Sequence, residues 1–196
     1  MKTSWIVLII IALVLMGGCS KLTGTYNGAV SKQEAVNTAW SQVENVYQRR
    51  ADLIPNLVEI VKGYAAHEQG TFTAVIEARA KASSITIDPS KATPAQLKAF
   101  TDAQGELSSA LSRLMVVVEQ YPNLKANENF MALQSQLEGT ENRIAVERKR
   151  FNEVAQEYNT YIKRFPNNII LGFFDFPARA YFEADKGANK APEVKF

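Results

Sequence analysis

Apolar side chains recur three and four residues apart over most of the chain, which is the spacing of helices that pack together. The first seam consists of Val36, Trp40, Val43, Tyr47, Arg50, Ile54, Leu57, Val61 and Tyr64. Two further seams with the same period run over residues 97–121 and 130–165. No stretch of the sequence keeps the period-two alternation of a strand. The pattern therefore predicts an all-α fold.

Turn signals separate the predicted helices. Residues 83–94 are polar and rich in Ser, Thr and Pro, and they end in Thr93-Pro94-Ala95-Gln96. That string predicts an N-cap, a proline in the first turn and a capping-box partner. Proline also follows Tyr121 and Phe165, and each proline predicts the end of the preceding helix.

Pro55 leaves two interpretations of the first seam. A proline inside a helix removes a backbone donor, so it can end one helix and begin the next. The seam passes through Pro55 in register, however, which favours one kinked helix and a chain reversal near residues 67–70. Either break gives four helices, whereas no break would give three. We therefore predict an antiparallel up-and-down four-helix bundle of long helices, whose C-terminal end returns to the side where the chain begins.

The N-terminal segment predicts attachment to a membrane. Residues 5–16 are uninterrupted apolar, Lys2 precedes them, and Gly17-Gly18-Cys19 follows. A positive start, a short apolar core and small residues before Cys19 are typical of a lipoprotein signal with lipidation at Cys19. An uncleaved anchor is the alternative, since 18 residues from Thr3 to Ser20 carry no charge.

These features divide the chain into three parts. Residues 1–19 are the predicted signal or anchor, residues 20–166 the helical bundle, and residues 167–196 an aromatic tail whose end, 184–196, is predicted to be disordered. The aromatic part of the tail is expected to fold back on the bundle. The alternative is a patch that contacts the membrane interface or a partner protein.

Composition and single residues exclude several kinds of chemistry. The net charge of +2 and the interspersed signs argue against binding of nucleic acid. The chain has one cysteine, Cys19, and one histidine, His67, so neither a Cys–His pair nor a di-iron site is expected. We predict no enzymatic activity, no metal site and no cofactor.

Arg50 is the one charge within the first apolar seam. A charge there is costly unless it is paired, so we predict a buried polar layer that fixes the register of the helices. The expected partners on the last long helix are Thr140, Glu141 and Glu147. The alternative is that Arg50 extends its guanidinium to solvent.

Several strings resemble the LemA family. They are residues 40–68, Ala78-Arg79, residues 121–127 with Phe130, Leu133-Gln134, residues 137–145, Tyr158-Asn159, Phe165-Pro166 and Tyr181-Phe182-Glu183. The resemblance implies a bacterial envelope protein with an N-terminal membrane segment and an antiparallel four-helix bundle. It implies no enzymatic activity. The family-signature positions in this sequence are Arg49, Arg50, Asp52, Pro55, Asn56, Glu141, Asn142 and Arg143.

The expected function is that of a membrane-tethered structural or interaction module in the cell envelope, with the bundle outside the cytoplasm. Its partner would be an envelope protein or a second copy of the chain. The runner-up is an accessory lipoprotein that binds a small molecule or lipid in a groove of the bundle. A third hypothesis is an enzyme site that gathers Arg49, Asp52 and Glu141 in one cleft.

Overall fold

The computed structural model describes residues 2–183, with side chains from Trp5 onward, and in this range the chain forms helices and no strand. The helices are α1 (Lys2–Tyr64), α2 (Gln69–Ser84), α3 (Pro94–Val118), α4 (Pro122–Lys125), α5 (Glu128–Lys163) and α6 (Asn167–Leu171). The predicted disorder at 184–196 concerns residues outside the described part. The all-α prediction is confirmed.

Four long helices run up, down, up and down. Helix α1 packs along α5, and α2 packs along α3, as antiparallel pairs. The C-terminal end of α5 returns to the first half of α1, where the Tyr161 hydroxyl donates to the Thr25 carbonyl over 3.2 Å. Gly28 permits this approach, because a Cβ there would clash with the Tyr161 hydroxyl oxygen. The predicted antiparallel bundle is confirmed.

Helix α1 continues through Pro55 and ends at Tyr64, and the chain reverses at residues 65–68. Proline has no N–H, so the carbonyl of Ala51, four residues earlier, loses its helical partner. The Arg79 Nε of α2 donates to that carbonyl over 2.7 Å. A side chain from a neighbouring helix thus replaces the missing backbone donor, which allows Pro55 to stay within one helix.

The predicted boundaries hold at the later helices. Thr93 and Gln96 form both halves of a capping box at the start of α3. Asn127 caps α5, since its side-chain oxygen accepts from the Phe130 N–H over 3.0 Å. Each contact satisfies a backbone donor that a helix start leaves without a partner inside the helix.

The buried apolar residues form two clusters along the bundle. The distal core lies far from the apolar start of α1 and includes Ile54, Leu57, Val61, Val75, Leu107, Leu114, Leu124 and Phe130. The proximal core lies nearer that start and includes Val36, Trp40, Val43, Phe100, Phe151, Ala155, Tyr158 and Phe182. Helix α2 has 16 residues and α5 has 36, so the α2–α3 hairpin does not follow α5 to its end.

The tail after α6 folds back along the proximal half, as expected. The Asn159 side chain accepts from the Arg179 N–H over 2.8 Å and donates to the Arg179 carbonyl over 2.9 Å. Asn152 makes the same pair of bonds with Phe182. The Phe182 ring then lies parallel to Trp40, with ring centroids 5.8 Å apart. Two asparagines of α5 therefore hold the tail as a further strip of core.

Candidate functional site

Arg50 occupies the level at which the two cores meet. Its seam position on α1 points the side chain into the bundle, and only 2% of that side chain is exposed. The guanidinium lies over the Tyr47 ring, 5.2 Å from the ring centroid. A buried cation at this level needs counter-charge and hydrogen-bond acceptors to offset its lost hydration.

Helices α3 and α5 supply those acceptors. Arg50 Nη1 donates to Glu141 Oε2 over 2.7 Å and to Ser108 Oγ over 3.0 Å. Arg50 Nη2 donates to both the side-chain oxygen and the main-chain carbonyl of Gln104. One guanidinium therefore joins three helices by charge-assisted bonds, which are stronger than bonds between neutral groups.

The acceptors are themselves connected. Ser108 Oγ lies 3.3 Å from Glu141 Oε1, and Gln104 Nε2 donates to the Ala82 carbonyl of α2 over 3.3 Å. The network thus reaches all four long helices. The Glu141 side chain is 53% exposed, so the negative end of the layer opens to water while the positive end is buried. We call Arg50, Gln104, Ser108 and Glu141 the arginine layer.

The structure places the predicted layer residues in different surroundings. Glu141 pairs with Arg50, so Arg50 does not reach out to solvent. Thr140 is buried, but its hydroxyl donates to the Gln136 carbonyl one turn earlier on α5. Glu147 lies beyond the layer on α5, where its Oε2 is 3.9 Å from Arg150 Nη1. Thr140 and Glu147 therefore lie outside the layer, and their predicted contact with Arg50 is wrong.

Sequence reasoning missed Gln104 and Ser108. Gln104 carried a usable signal, because it is a polar residue at a seam position of α3, as Arg50 is on α1. Ser108 follows one turn later on the same helix. Two polar seam positions on separate helices indicate a shared layer, and pairing them would have identified α3 as a partner.

The remaining signature residues lie mostly on the surface. Arg49 donates to Gln136 Oε1 over 3.0 Å, and Gln48 Nε2 donates to Asp52 Oδ1 over 2.7 Å. Arg49, Asp52 and Glu141 thus each have a different partner. Pro55, Asn56, Asn142 and Arg143 are exposed.

An open cleft of about 340 Å³ lies beside the layer, between α1, α2 and α3. Its lining mixes apolar and polar side chains, among them Tyr47, Gln48, Phe100 and Gln104. His67 is exposed at the distal reversal. Within the described residues, no three His, Cys, Asp or Glu side chains are grouped so that they could hold a metal ion.

Two titratable groups near the tail have shifted pKa values. Burial raises the pKa of the Tyr158 phenol, whose hydroxyl donates to the Pro177 carbonyl over 3.1 Å. Hydrogen bonds from the Ser90 side chain and backbone lower the pKa of the exposed Asp88 carboxyl in the α2–α3 loop. Both groups belong to the region where the tail meets the bundle.

The beginning of α1 is long and apolar enough to cross a membrane, and its apolar window is entirely exposed. An N-terminal signal sequence has the same properties. Cys19 is exposed on α1, which continues from the apolar segment into the bundle without a break. Fold and site together define an all-α bundle protein that is mounted on an apolar N-terminal helix.

The chain belongs to the LemA family, whose model matches residues 39–196. Magnetosome protein MamQ of Magnetospirillum gryphiswaldense is 29% identical over 96% of this chain and 75% of the relative. Magnetosome protein MamQ 1 of Paramagnetospirillum magneticum is 28% identical over 95% of this chain and 75% of the relative. Protein LemA of Metamycoplasma hominis is 25% identical over 83% of this chain and 71% of the relative.

Proposed function

We propose that this protein is a membrane-tethered scaffold of the bacterial envelope, which presents a rigid helical surface outside the cytoplasm and performs no catalysis. The observation that carries the proposal is the continuity of α1. The helix that begins with the apolar segment at residues 5–16 also supplies one wall of both cores up to Val61. A bundle that shares a helix with its anchor stays close to the bilayer, and a lipid at Cys19 on the same helix would keep it there as well.

The arginine layer supports a structural role. Its charged and polar groups are directed at one another, and the layer spans all four long helices. A paired charge inside a bundle favours one helix register over others, as single polar positions do in coiled coils. A fixed register keeps the outer faces of the helices in one arrangement, which a partner can recognise.

The partner is an envelope protein or a second copy of the chain. Large apolar side chains are exposed along the outer faces, including Ile76, Val116, Met131 and Val146. The relatives named as magnetosome proteins support a role connected with a cellular structure rather than with a substrate. Interaction through side faces would leave the arginine layer and both cores intact.

Site-specific photocrosslinking in intact cells tests the proposal. A photoreactive residue replaces Val116, Val146 or Ile76 in turn, and crosslinked products are identified by mass spectrometry. We expect one face to give a discrete product with an envelope protein or with the chain itself, while the other faces do not. Equal, diffuse labelling of all three faces would argue against a defined interaction surface.

The form of the tether has its own test. We propose lipidation at Cys19, with an uncleaved transmembrane helix as the alternative. Cys19→Ser should abolish acyl labelling and leave the leader attached, whereas Ser20→Ala is the matched control and should keep the label. Membrane retention of the wild-type chain without any acyl label would reject lipidation and favour the uncleaved helix.

The 340 Å³ cleft favours a second candidate, the binding of a small molecule or lipid. Its apolar lining residues Phe100 and Leu107 are accompanied by Glu44 and Gln48, so an amphipathic ligand would suit it. Native mass spectrometry of the detergent-extracted protein should then show a bound mass that Ala82→Trp removes. Loss of the cleft without loss of bound mass would reject this candidate.

A further inference from the structure

An exposed apolar face lies at the proximal end of the bundle, directly after α5. Phe165 is 74% exposed, Ile169 57% and Phe173 84%. Ile169 lies on α6, and Phe173 lies in the turn directly after it. We call Phe165, Ile169 and Phe173 the foot.

Contacts with α5 and α1 on the buried side of α6 hold the foot in place. Asn167 and Leu171 occupy the opposite side of α6 and are buried against the bundle. The Asn167 side chain donates to the Tyr161 carbonyl of α5 over 3.1 Å. Phe174 contacts Tyr26 of α1 edge to face, with centroids 5.0 Å apart. The apolar side chains are thus presented outward from an anchored turn.

Phe165 places one end of the foot at the level where α1 leaves its apolar segment. Phe165 and Pro166 line the same surface recess, of about 550 Å³, as Gly17 and Ser20 of α1. Thr3 to Ser20 is 18 residues without a charge. At about 1.5 Å per residue this stretch is about 27 Å long, close to the thickness of a bilayer core. A spanning α1 therefore places the recess at the headgroup boundary.

A lipid at Cys19 leads to the same level. Acyl chains on Cys19 would hold that residue at the bilayer surface, and Cys19 directly precedes the recess-lining Ser20. The depth of the foot is therefore the same for both forms of the tether.

The charges around the recess suit lipid phosphates. The charged residues that line it are Lys21 and Arg164, both cationic, and Lys163 lies exposed in the last turn of α5. Aromatic and apolar side chains beside cations are typical of surfaces that lie in the headgroup region. Three side chains form a small apolar patch, whereas a stable dimer needs on the order of 800 Å² from each partner.

We propose that the foot inserts into the headgroup boundary of the bilayer that α1 enters, as a second membrane contact. The proposal rests on the membrane tether of the proposed function. Two contacts on one rigid body restrict the tilt of the bundle, whereas a single helix would let it swing. The cations Lys21 and Arg164 bind lipid phosphates beside the inserted aromatic rings.

Spin-label accessibility in vesicles tests this depth. The full chain in a Cys19→Ser background carries one label at Phe173→Cys, at Ile11→Cys within the apolar segment, or at Val116→Cys on the outer face of α3. Each is reconstituted in phosphatidylcholine vesicles with phosphatidylglycerol. The ratio of oxygen to water-soluble nickel-chelate accessibility should be several-fold higher at Phe173 than at Val116, and highest at Ile11.

The three sites separate the outcomes. A label at Phe173 that is as open to the nickel chelate as Val116, with Ile11 in the bilayer, overturns the foot and leaves the tether intact. A label at Ile11 that is as open to the nickel chelate as Val116 overturns the insertion of the apolar segment, which is the only tether left in the Cys19→Ser chain. Spin–spin broadening at Phe173 that unlabelled protein dilutes away assigns the foot to a second copy, and this outcome also rejects membrane insertion.

Discussion

On the distal side of Arg50, four helices surround a core that contains aliphatic side chains such as Leu57, Leu107 and Leu114. On the proximal side of Arg50, α2 ends, and α1, α5 and the first turns of α3 continue together with the tail. The core there is aromatic, built from Trp40, Phe100, Phe151 and Phe182. The distal half is closed by helix seams, and the proximal half is closed by a segment that has no helix of its own.

The difference predicts unequal cooperativity. A side chain shared by four helices cannot be lost without loosening all of them. The tail is held by the two asparagines, by the Phe182 ring and by a bond from Arg179 to the Ser90 carbonyl of the α2–α3 loop. It can detach as a unit, because it is not part of any of the four long helices. The arginine layer lies between these regions and couples them through α1, α3 and α5.

The largest effect is expected in the distal core. Leu57 is fully buried, so Leu57→Ala should lower the free energy of unfolding by about 3–5 kcal/mol through lost burial and a new cavity. Urea denaturation followed by circular dichroism measures the loss. Val116→Ala, at an exposed position, is the control and should change stability little. Equal effects at both sites would contradict a packed distal core.

In the proximal half we expect a local effect. Phe182→Ala removes the ring between Trp40 and Phe151, a loss of up to about 3 kcal/mol, but detachment of the tail limits what the whole bundle loses. Hydrogen exchange should rise over residues 176–183 and stay slow around Leu57. Tyr181→Ala, beside it on the exposed side, is a milder control. Faster exchange throughout α1 would show that the two halves unfold together.

The charge of the arginine layer should contribute less. Glu141→Gln keeps the shape of the acceptor but leaves the buried Arg50 without its counter-charge, which we expect to cost about 1–2 kcal/mol. Glu138→Gln is the matched control, one turn away, exposed and bonded to Gln134. Chemical denaturation of both variants at low and high salt gives the comparison. Identical stability of the two variants would mean that the pair has no structural value.

An effect of similar size is expected where α2 supports α1. Arg79→Met should cost about 1–2 kcal/mol, because the buried Ala51 carbonyl loses its donor. In a Pro55→Ala background the restored backbone N–H can bond that carbonyl, so the cost of Arg79→Met should shrink. A double-mutant cycle measures this coupling. The same cost in both backgrounds would show that Arg79 acts in another way.

The smallest effect depends on pH. Burial raises the pKa of Tyr158 above its ordinary value of 10.0, so the folded state holds this proton more tightly than the unfolded state. Its contribution to stability is present below pH 10 and is lost as the pH rises through the raised pKa. The melting temperature of the wild type should therefore fall more between pH 9 and pH 11 than that of Tyr158→Phe. Parallel curves would exclude Tyr158 as a source of the alkaline loss.

The seams made the helices predictable, because burial on one face imposes a local period on the sequence. The support of Pro55 by Arg79 was not predictable in this way, since it joins residues on two helices and depends on their packing. Gln104 could be recognised in the sequence as a polar seam residue. Predicting its contact with Arg50 would have required knowing which helices are neighbours. The predicted loop at residues 83–94 already made α2 much shorter than the last long helix. This difference in length leaves room beside α5, and the tail fills it.

The stack between Trp40 and Phe182 provides an intrinsic optical signal. The chain has two tryptophans, Trp5 in the apolar segment and Trp40 in the proximal core. Removal of the leader would leave Trp40 as the sole indole, and its emission would then report on the proximal core into which the tail packs. Release of the tail would expose the indole to water and move its emission to longer wavelengths. Docking of the tail can thus be followed without attaching a dye.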